Sequence, residues 1–185
     1  TIGPGGIEER LRLQMGNASL RCVHRLDRET SGCLLVATDR VALEAAVAIF
    51  KTKRVVKGYH ALVAGRMENP VTTVDTPLEG KPARTHARRM MANDDASLLH
   101  VRIETGRTHQ IRLHLAGIRH PVIGDRLHGL KTGRDPRLVR VPRLMLHAAE
   151  LELDDPIGGR EKLRAHSPMP ADFRRCLQIF GLGKK

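Results

Sequence analysis

His24-Arg25-Leu26-Asp27-Arg28-Glu29-Thr30-Ser31-Gly32 runs directly into the apolar stretch Cys33-Leu34-Leu35-Val36-Ala37. One carboxylate, Asp27, sits between two arginines. Two hydroxyl residues and a glycine follow, and then a run suited to a short buried strand over Cys33–Ala37. This order predicts a charged loop delivered to the edge of a sheet. If Val23–Asp27 is extended, Arg25 and Asp27 project to the same side. Taken alone, Asp27 is most simply explained by an ion pair with Arg25 or Arg28. Ser31 is explained by a cap or a hydrogen bond within the turn.

Working outward, Thr1–Gly6 is a Gly/Pro loop, and Ile7, Leu11 and Met15 share a helical spacing. Asp39 suits the N-cap of a helix reaching about Lys51, with Val41, Ala45, Ala48 and Ile49 on one face. Arg54–Ala64 alternates as a strand that places Lys57, Tyr59, Ala61 and Val63 on one side. A short extended piece is expected at Val71–Val74. Thr85–Met91 and Ser97–Glu104 form a hairpin through Asn93-Asp94-Asp95. Thr108 is expected to cap a helix His109–Ala116 with Ile111 and Leu115 toward the core and His109, Arg112 and His114 elsewhere. Ile118–Val141 reads as a basic surface loop, Leu144–Leu153 as a strand and Asp154-Asp155-Pro156 as a turn. A last helix over Ala171–Phe180 is entered through Pro170 and ended by Gly181. Strands and helices mix without regular alternation. The predicted fold is therefore α+β, a mixed and largely antiparallel sheet with flanking helices in one domain.

Charge narrows the function. Thirty-two Lys and Arg against 20 Asp and Glu give a net charge of +12, and residues 81–145 carry most of it. Arginine dominates, and its planar fork suits phosphate. A polyanion, most simply nucleic acid, is the expected partner. Phe50, Tyr59, Phe173 and Phe180 are all the large aromatic rings, too few for a stacking platform that binds single strands generally. The ten histidines and three cysteines show no zinc spacing, and Gly3-Pro4-Gly5-Gly6 lacks the Lys-Ser/Thr of a phosphate loop, so no metal or cofactor is expected. No apolar run is long enough to span a membrane. An odd number of cysteines without close pairs suggests free thiols, and with them a cytoplasmic location. A monomer is expected.

Four ordered segments resemble the RluA-type pseudouridine synthases: HRLDRETSGCLLVATD, VVKGYHALVAG, IETGRTHQIRLHLAGIRHPVIGD, and LMLHAAELEL followed by PMPADF. Together they run from about Arg21 to Phe180. The resemblance implies an isomerase that converts uridine to pseudouridine in stem-loops of rRNA or tRNA, without metal or organic cofactor. It implies Asp27 as nucleophile, Tyr59 packed on the target base and Arg107 paired with Asp27. Arg25 would help extrude the base. Arg28, Lys57, His109, Arg112 and Arg119 complete the expected RNA-contacting set. The chain departs from the family in two ways. It starts too late to hold the strands and turn that usually precede the HRLD segment, so residues 1–185 read as a single, N-terminally shortened catalytic domain without the accessory RNA-binding domain. His128 stands where relatives usually have Tyr. Two rival readings follow from the residues, a non-catalytic RNA-binding protein on the same fold and a hydrolase using Glu29 as second carboxylate.

Overall fold

The computed structural model describes residues 5–52, 54–130, 135–154 and 162–183. The expectations at Thr1–Pro4, at residues 131–134 of the basic loop and at Asp155-Pro156 lie outside them. Helix α1 is Ile7–Met15, closed by Gly16 in the left-handed conformation at φ 61. Strands β1 (Arg21–Cys22), β2 (Ser31–Gly32) and β3 (Val36–Ala37) are two residues each. Helix α2 is Arg40–Lys51, and the Asp39 side chain caps it by accepting from the Ala42 N–H at 2.8 Å. Strands β4 (Val55–Ala64), β5 (Val71–Val74), β6 (Thr85–Ala92) and β7 (Ala96–Ile103) precede helix α3 (Gln110–Gly117). A 3₁₀ turn at Pro136–Arg140, β8 (Leu146–Leu153), β9 (Leu163–His166) and α4 (Ala171–Ile179) complete the described chain.

The main sheet runs β2-β8-β4-β7-β6-β5, with β9 also paired to β8, while β1 and β3 form a separate antiparallel pair. All main-sheet pairings are antiparallel except β2 with β8. The α+β expectation with a largely antiparallel sheet therefore holds. β4 lies between β7 and β8 and is buried on both faces from Tyr59 to Val63, apart from half-buried His60. Ile111 and Leu115 of α3 and Phe173, Cys176 and Leu177 of α4 join its residues in one core. Alternation along β4 puts Tyr59 and His60 on opposite faces. His60 pairs across to His100 and His147, and His147 meets Phe173 of α4 at 6.3 Å between ring centres. α4 therefore covers part of the face opposite Tyr59.

Several local expectations are corrected, among them the surface loop over Ile118–Val141, whose Val122, Ile123 and Leu138 are buried in the core. The strand over Cys33–Ala37 is split: Ser31–Gly32 joins β8, and only Val36–Ala37 remains paired, with β1. Thr108 does not cap α3; His109 holds the cap position in the left-handed conformation at φ 52. Arg112 and His114 are buried, 6% and 2% exposed, because each finds polar partners inside. β9 was not expected, since Leu163-Arg164-Ala165-His166 is exposed throughout and shows no burial alternation.

Gly32 makes the parallel β2–β8 pair possible. Its φ is 111, and a Cβ there would lie 2.0 Å from the Ala148 carbonyl oxygen. Gly32→Ala is expected to destabilise the fold by about 3 kcal/mol in denaturant unfolding, through strain and collision together. A loss within experimental error would remove this constraint. On the other face, burial first, and then the neighbouring His100 and His147, push the His60 pKa down to about 4, against the opposing pull of Glu150. Its folded value lies below the unfolded one, so the unfolded state binds the extra proton as pH falls from about 6.5 to 4. Stability is expected to drop across that window, and His60→Leu should flatten the drop. Equal pH slopes of the urea midpoint in both proteins would refute the assignment.

Candidate active site

The loop carrying Asp27 is tied down at both ends. Val23 N–H donates to the Leu35 carbonyl at 3.0 Å, and Leu35 N–H donates back to His24 Nε2 at 3.0 Å. The His24 ring stacks on Phe50 at 5.2 Å, and burial lowers its pKa, as suits a ring that accepts. Leu26 packs against the main core, and Thr30 N–H donates to the Asp27 carbonyl at 3.0 Å to close a turn. Arg143 then holds the far side. Its Nη1 donates to the Glu29 carbonyl at 3.1 Å while Nε and Nη2 engage Asp172 at 2.7 and 2.9 Å. Glu29 itself accepts from the Leu144 N–H at 3.3 Å and so has a structural partner. Ser31 bonds across the sheet instead of within its turn. His147 Nε2 donates to the Ser167 carbonyl at 3.0 Å, which leaves Nδ1 to accept the Ser31 hydroxyl at 2.9 Å.

Tyr59 comes from mid-strand, directly after the register shift between β4 and β8 at Gly58/Tyr59. It is 9% exposed and lines the same cleft as Arg25, Asp27, Arg107 and His109. Burial, assisted by the negative charge of Asp27, pushes its hydroxyl pKa up to about 12, so the ring stays neutral.

The opposite wall is the turn Thr105–Thr108 and the start of α3. Buried Gln110 organises it. Its Oε1 accepts from Thr105 Oγ1 at 2.7 Å and from the Arg107 N–H at 3.1 Å, while Nε2 donates to the Arg84 carbonyl and to Thr85 Oγ1. His114 continues the network, with ring nitrogens 2.9 Å from Thr85 Oγ1 and from the Thr76 carbonyl. Lys57, whose pKa burial lowers, reaches the Thr105 carbonyl at 3.4 Å behind the turn. Arg107 is exposed and its Nε donates to the Pro82 carbonyl at 3.2 Å.

The cation paired with Asp27 is Arg112, at 3.2 Å from Nη1 to Oδ2, and not Arg107. Nor is Arg112 a free phosphate contact. Its Nε and Nη2 form a two-pronged pair with Asp125, both at 2.7 Å. Hydrogen bonding to Asp125 raises the Arg112 pKa. Burial alone would raise Asp125, but Arg112 and the backbone N–H groups of His128 and Leu127 outweigh it and hold the carboxyl below its usual range.

Asp27, Tyr59 and Arg107, from three separate segments, thus converge on one cleft, with exposed Arg25 at its edge and exposed Arg28 on an adjoining hollow. His109 also lines the cleft and its Nδ1 lies 3.0 Å from His128 Nε2. Arg119 is exposed at φ 66, past the far end of α3, a helix about 12 Å long. Residue-by-residue reading missed Asp125 and Arg143. For Asp125 a signal was present: an acid directly after Gly124 in a basic segment.

Residues 8–117 match the model of a family described as RNA pseudouridylate synthase. The chain is 41% identical over 174 residues to ribosomal large subunit pseudouridine synthase D of Nitrosomonas europaea, covering 84% of this chain and 50% of that protein. It is 37% identical to ribosomal large subunit pseudouridine synthase C of Salmonella typhimurium, covering 94% and 60%. This chain spans about half the length of the curated relatives it matches. Among solved structures, human RNA pseudouridylate synthase domain containing 1 superposes with a TM-score of 0.78 at 30% identity, covering 92% of this chain and 77% of that one.

Gln110→Leu leaves the amide partners at Thr105, Arg107, Arg84 and Thr85 short of bonds in a buried site. The expected cost is about 2 kcal/mol of stability, with faster hydrogen exchange at the Arg107 amide. Unchanged exchange there would show that the turn is held by something else.

Proposed function

Because the chain belongs to the RNA pseudouridylate synthase family, we propose that it isomerises uridine to pseudouridine in RNA with Asp27 as nucleophile. The observation carrying this reading is the convergence of Asp27, Tyr59 and Arg107 on one cleft in a chain of net charge +12. A uridine reaches such a cleft only when turned out of its stack, which costs a few kcal/mol and least in loops. Tyr59 offers a rigid, neutral ring for the base to pack on. Arg25, Arg28 and Arg107, exposed around the cleft, supply positive charge toward phosphates and the extruded nucleotide. Lys57 and Arg112, which point to protein partners, leave that set.

The chemistry is balanced without a redox partner. Asp27 attacks the uridine, the bond from ring nitrogen one to the sugar breaks, and the base rotates. Ring carbon five then bonds to the sugar, the bond to Asp27 breaks and frees the carboxylate, ring carbon five gives up its proton to solvent, and nitrogen one gains a proton. Product and substrate are isomers, so no organic cofactor or metal is consumed. The names of the relatives favour ribosomal RNA as substrate, with transfer RNA the next class to test. The three free cysteines suit a reducing compartment such as the cytoplasm. Among the described residues no helix is long and apolar enough to cross a membrane.

The test is tritium release from RNA labelled at uracil carbon five. The parent chain is expected to release label and Asp27→Ala to release none above background. A folded parent that binds RNA but releases no label from unmodified ribosomal or transfer RNA would leave only a binding role.

A further inference from the structure

Arg112 is one cation between two carboxylates, and it is shared unequally. Asp125 takes Nε and Nη2 at 2.7 Å each, whereas Asp27 receives Nη1 alone at 3.2 Å. The Asp125 side chain is 1% exposed and that of Arg112 7%, while Asp27 is 21% exposed and opens on the cleft. Asp125 is further fixed by the N–H groups of Leu127 and His128, which both donate to Oδ1, at 2.9 and 3.0 Å. Among the described residues Asp27 Oδ1 accepts no hydrogen bond.

We infer that Asp125 is a positioning residue that acts on Asp27 through Arg112. By holding two donors of the guanidinium in a planar fork, it limits how much of that charge reaches Asp27. The reason is geometric and electrostatic. A carboxylate gripped by a full guanidinium fork has both oxygens engaged and its charge offset. Such a group is stable and a poor nucleophile. A carboxylate held by one donor on one oxygen is oriented, and its other oxygen remains free to attack. Asp125 itself is too buried to touch substrate. The inference rests on the reading of Asp27 as nucleophile, but the charge sharing can be measured without any turnover.

The informative substitution is Asp125→Asn. With its oxygen in the Oδ1 position, the amide keeps the bonds from Leu127, His128 and Arg112 Nη2. It loses the negative charge and the acceptor for Arg112 Nε. If Asp125 only braced the Gly124–Gly129 turn, Asn would serve nearly as well and Asp27 would not respond. On the present inference the released guanidinium turns toward Asp27. Following the Asp27 carboxyl carbon by NMR, its titration midpoint is expected to move to lower pH by about one unit or more. The charged groups near Asp27 on the cleft and adjoining hollow are Arg25, Arg28, Glu29, Arg107, Arg112, Asp125 and Arg126, with Tyr59 and His109 titratable beside them. The parent chain, carrying all of them, is the control. In tritium release, kcat is expected to fall about tenfold with KM for RNA nearly unchanged.

If the Asn variant does not fold, Arg112→Lys asks the same question. An ammonium lacks the fork, remains with the more deeply buried Asp125, and leaves Asp27 without its partner, so the Asp27 midpoint should rise. An Asp27 midpoint unmoved in the folded variant, or a KM change in place of a kcat change, overturns the inference. A parent chain that releases no tritium while the NMR shift appears as expected rejects the isomerase reading and leaves the charge sharing intact.

Discussion

A guanidinium removed from water must be neutralised, and the burial of Arg112 sets the terms for everything around the cleft. Left unpaired in the interior it would cost several kcal/mol. α3 cannot turn Ile111 and Leu115 into the core without also carrying Arg112 inward, so a fixed acid must meet it there. Asp125 is that acid, and it is held by its own turn. Gly124, at φ 79, lets this turn pass so close to Arg143 that a Cβ would lie 2.0 Å from the Arg143 carbonyl oxygen. The side chain of the same Arg143 pins the carbonyl of Glu29. One buried ion pair therefore links α3, the Gly124–Gly129 turn and the loop bearing Asp27, and moving any of the three misplaces the other two.

The other end of that loop is secured by a different device. β2 is only Ser31–Gly32, too short to hold a parallel pairing on backbone bonds alone. Gly32 allows the close approach to β8, and the Ser31–His147–Ser167 chain of hydrogen bonds adds a side-chain clasp. Here Ser31 and Gly32, shortly after Asp27, acquire physical meaning. They stitch the loop to the central sheet, and Tyr59 lies on the adjacent strand of that sheet, paired with Ala148. The distance from the loop to Tyr59 is thereby set by strand spacing instead of by flexible connections.

What was legible in the sequence was local. The Asp39 cap, the Gly181 stop at φ 71, the extended Val71–Val74 and the β6–β7 hairpin all follow from neighbours a few residues away. The partnership of Arg112 was not legible. Helical periodicity treats an arginine as a surface residue, and only a turn 13 residues later reveals the acid that lets it be buried. His114 was misjudged for the same reason, since Thr85 and Thr76, far back in the chain, satisfy its ring. β9 escaped because an exposed edge strand needs no apolar alternation. Membership of the cleft could be anticipated for Asp27, Tyr59 and Arg107, but the pairing among charged groups could not, because it depends on which donors the interior leaves unoccupied.

On the proposed reading, that pairing also bears on how a site for a polyanion can contain an anion at all. On that reading the arginines that face solvent near the cleft, Arg25, Arg28 and Arg107, are left for phosphate, while Asp27 draws on a buried arginine already engaged by Asp125. Phosphate binding and carboxylate orientation thus do not compete for the same cation, and saturating the surface with RNA need not strip Asp27 of its partner. Tyr59 fits the same division. Burial and the Asp27 charge keep its hydroxyl protonated up to about pH 12, so it adds no second negative charge beside the carboxylate. On the proposed reading the cleft then presents the extruded base with a neutral ring on one side and a single, weakly tethered carboxylate on the other. In that reading, repulsion from phosphate is absorbed outside the cleft, and the nucleophilicity of Asp27 is tuned inside it.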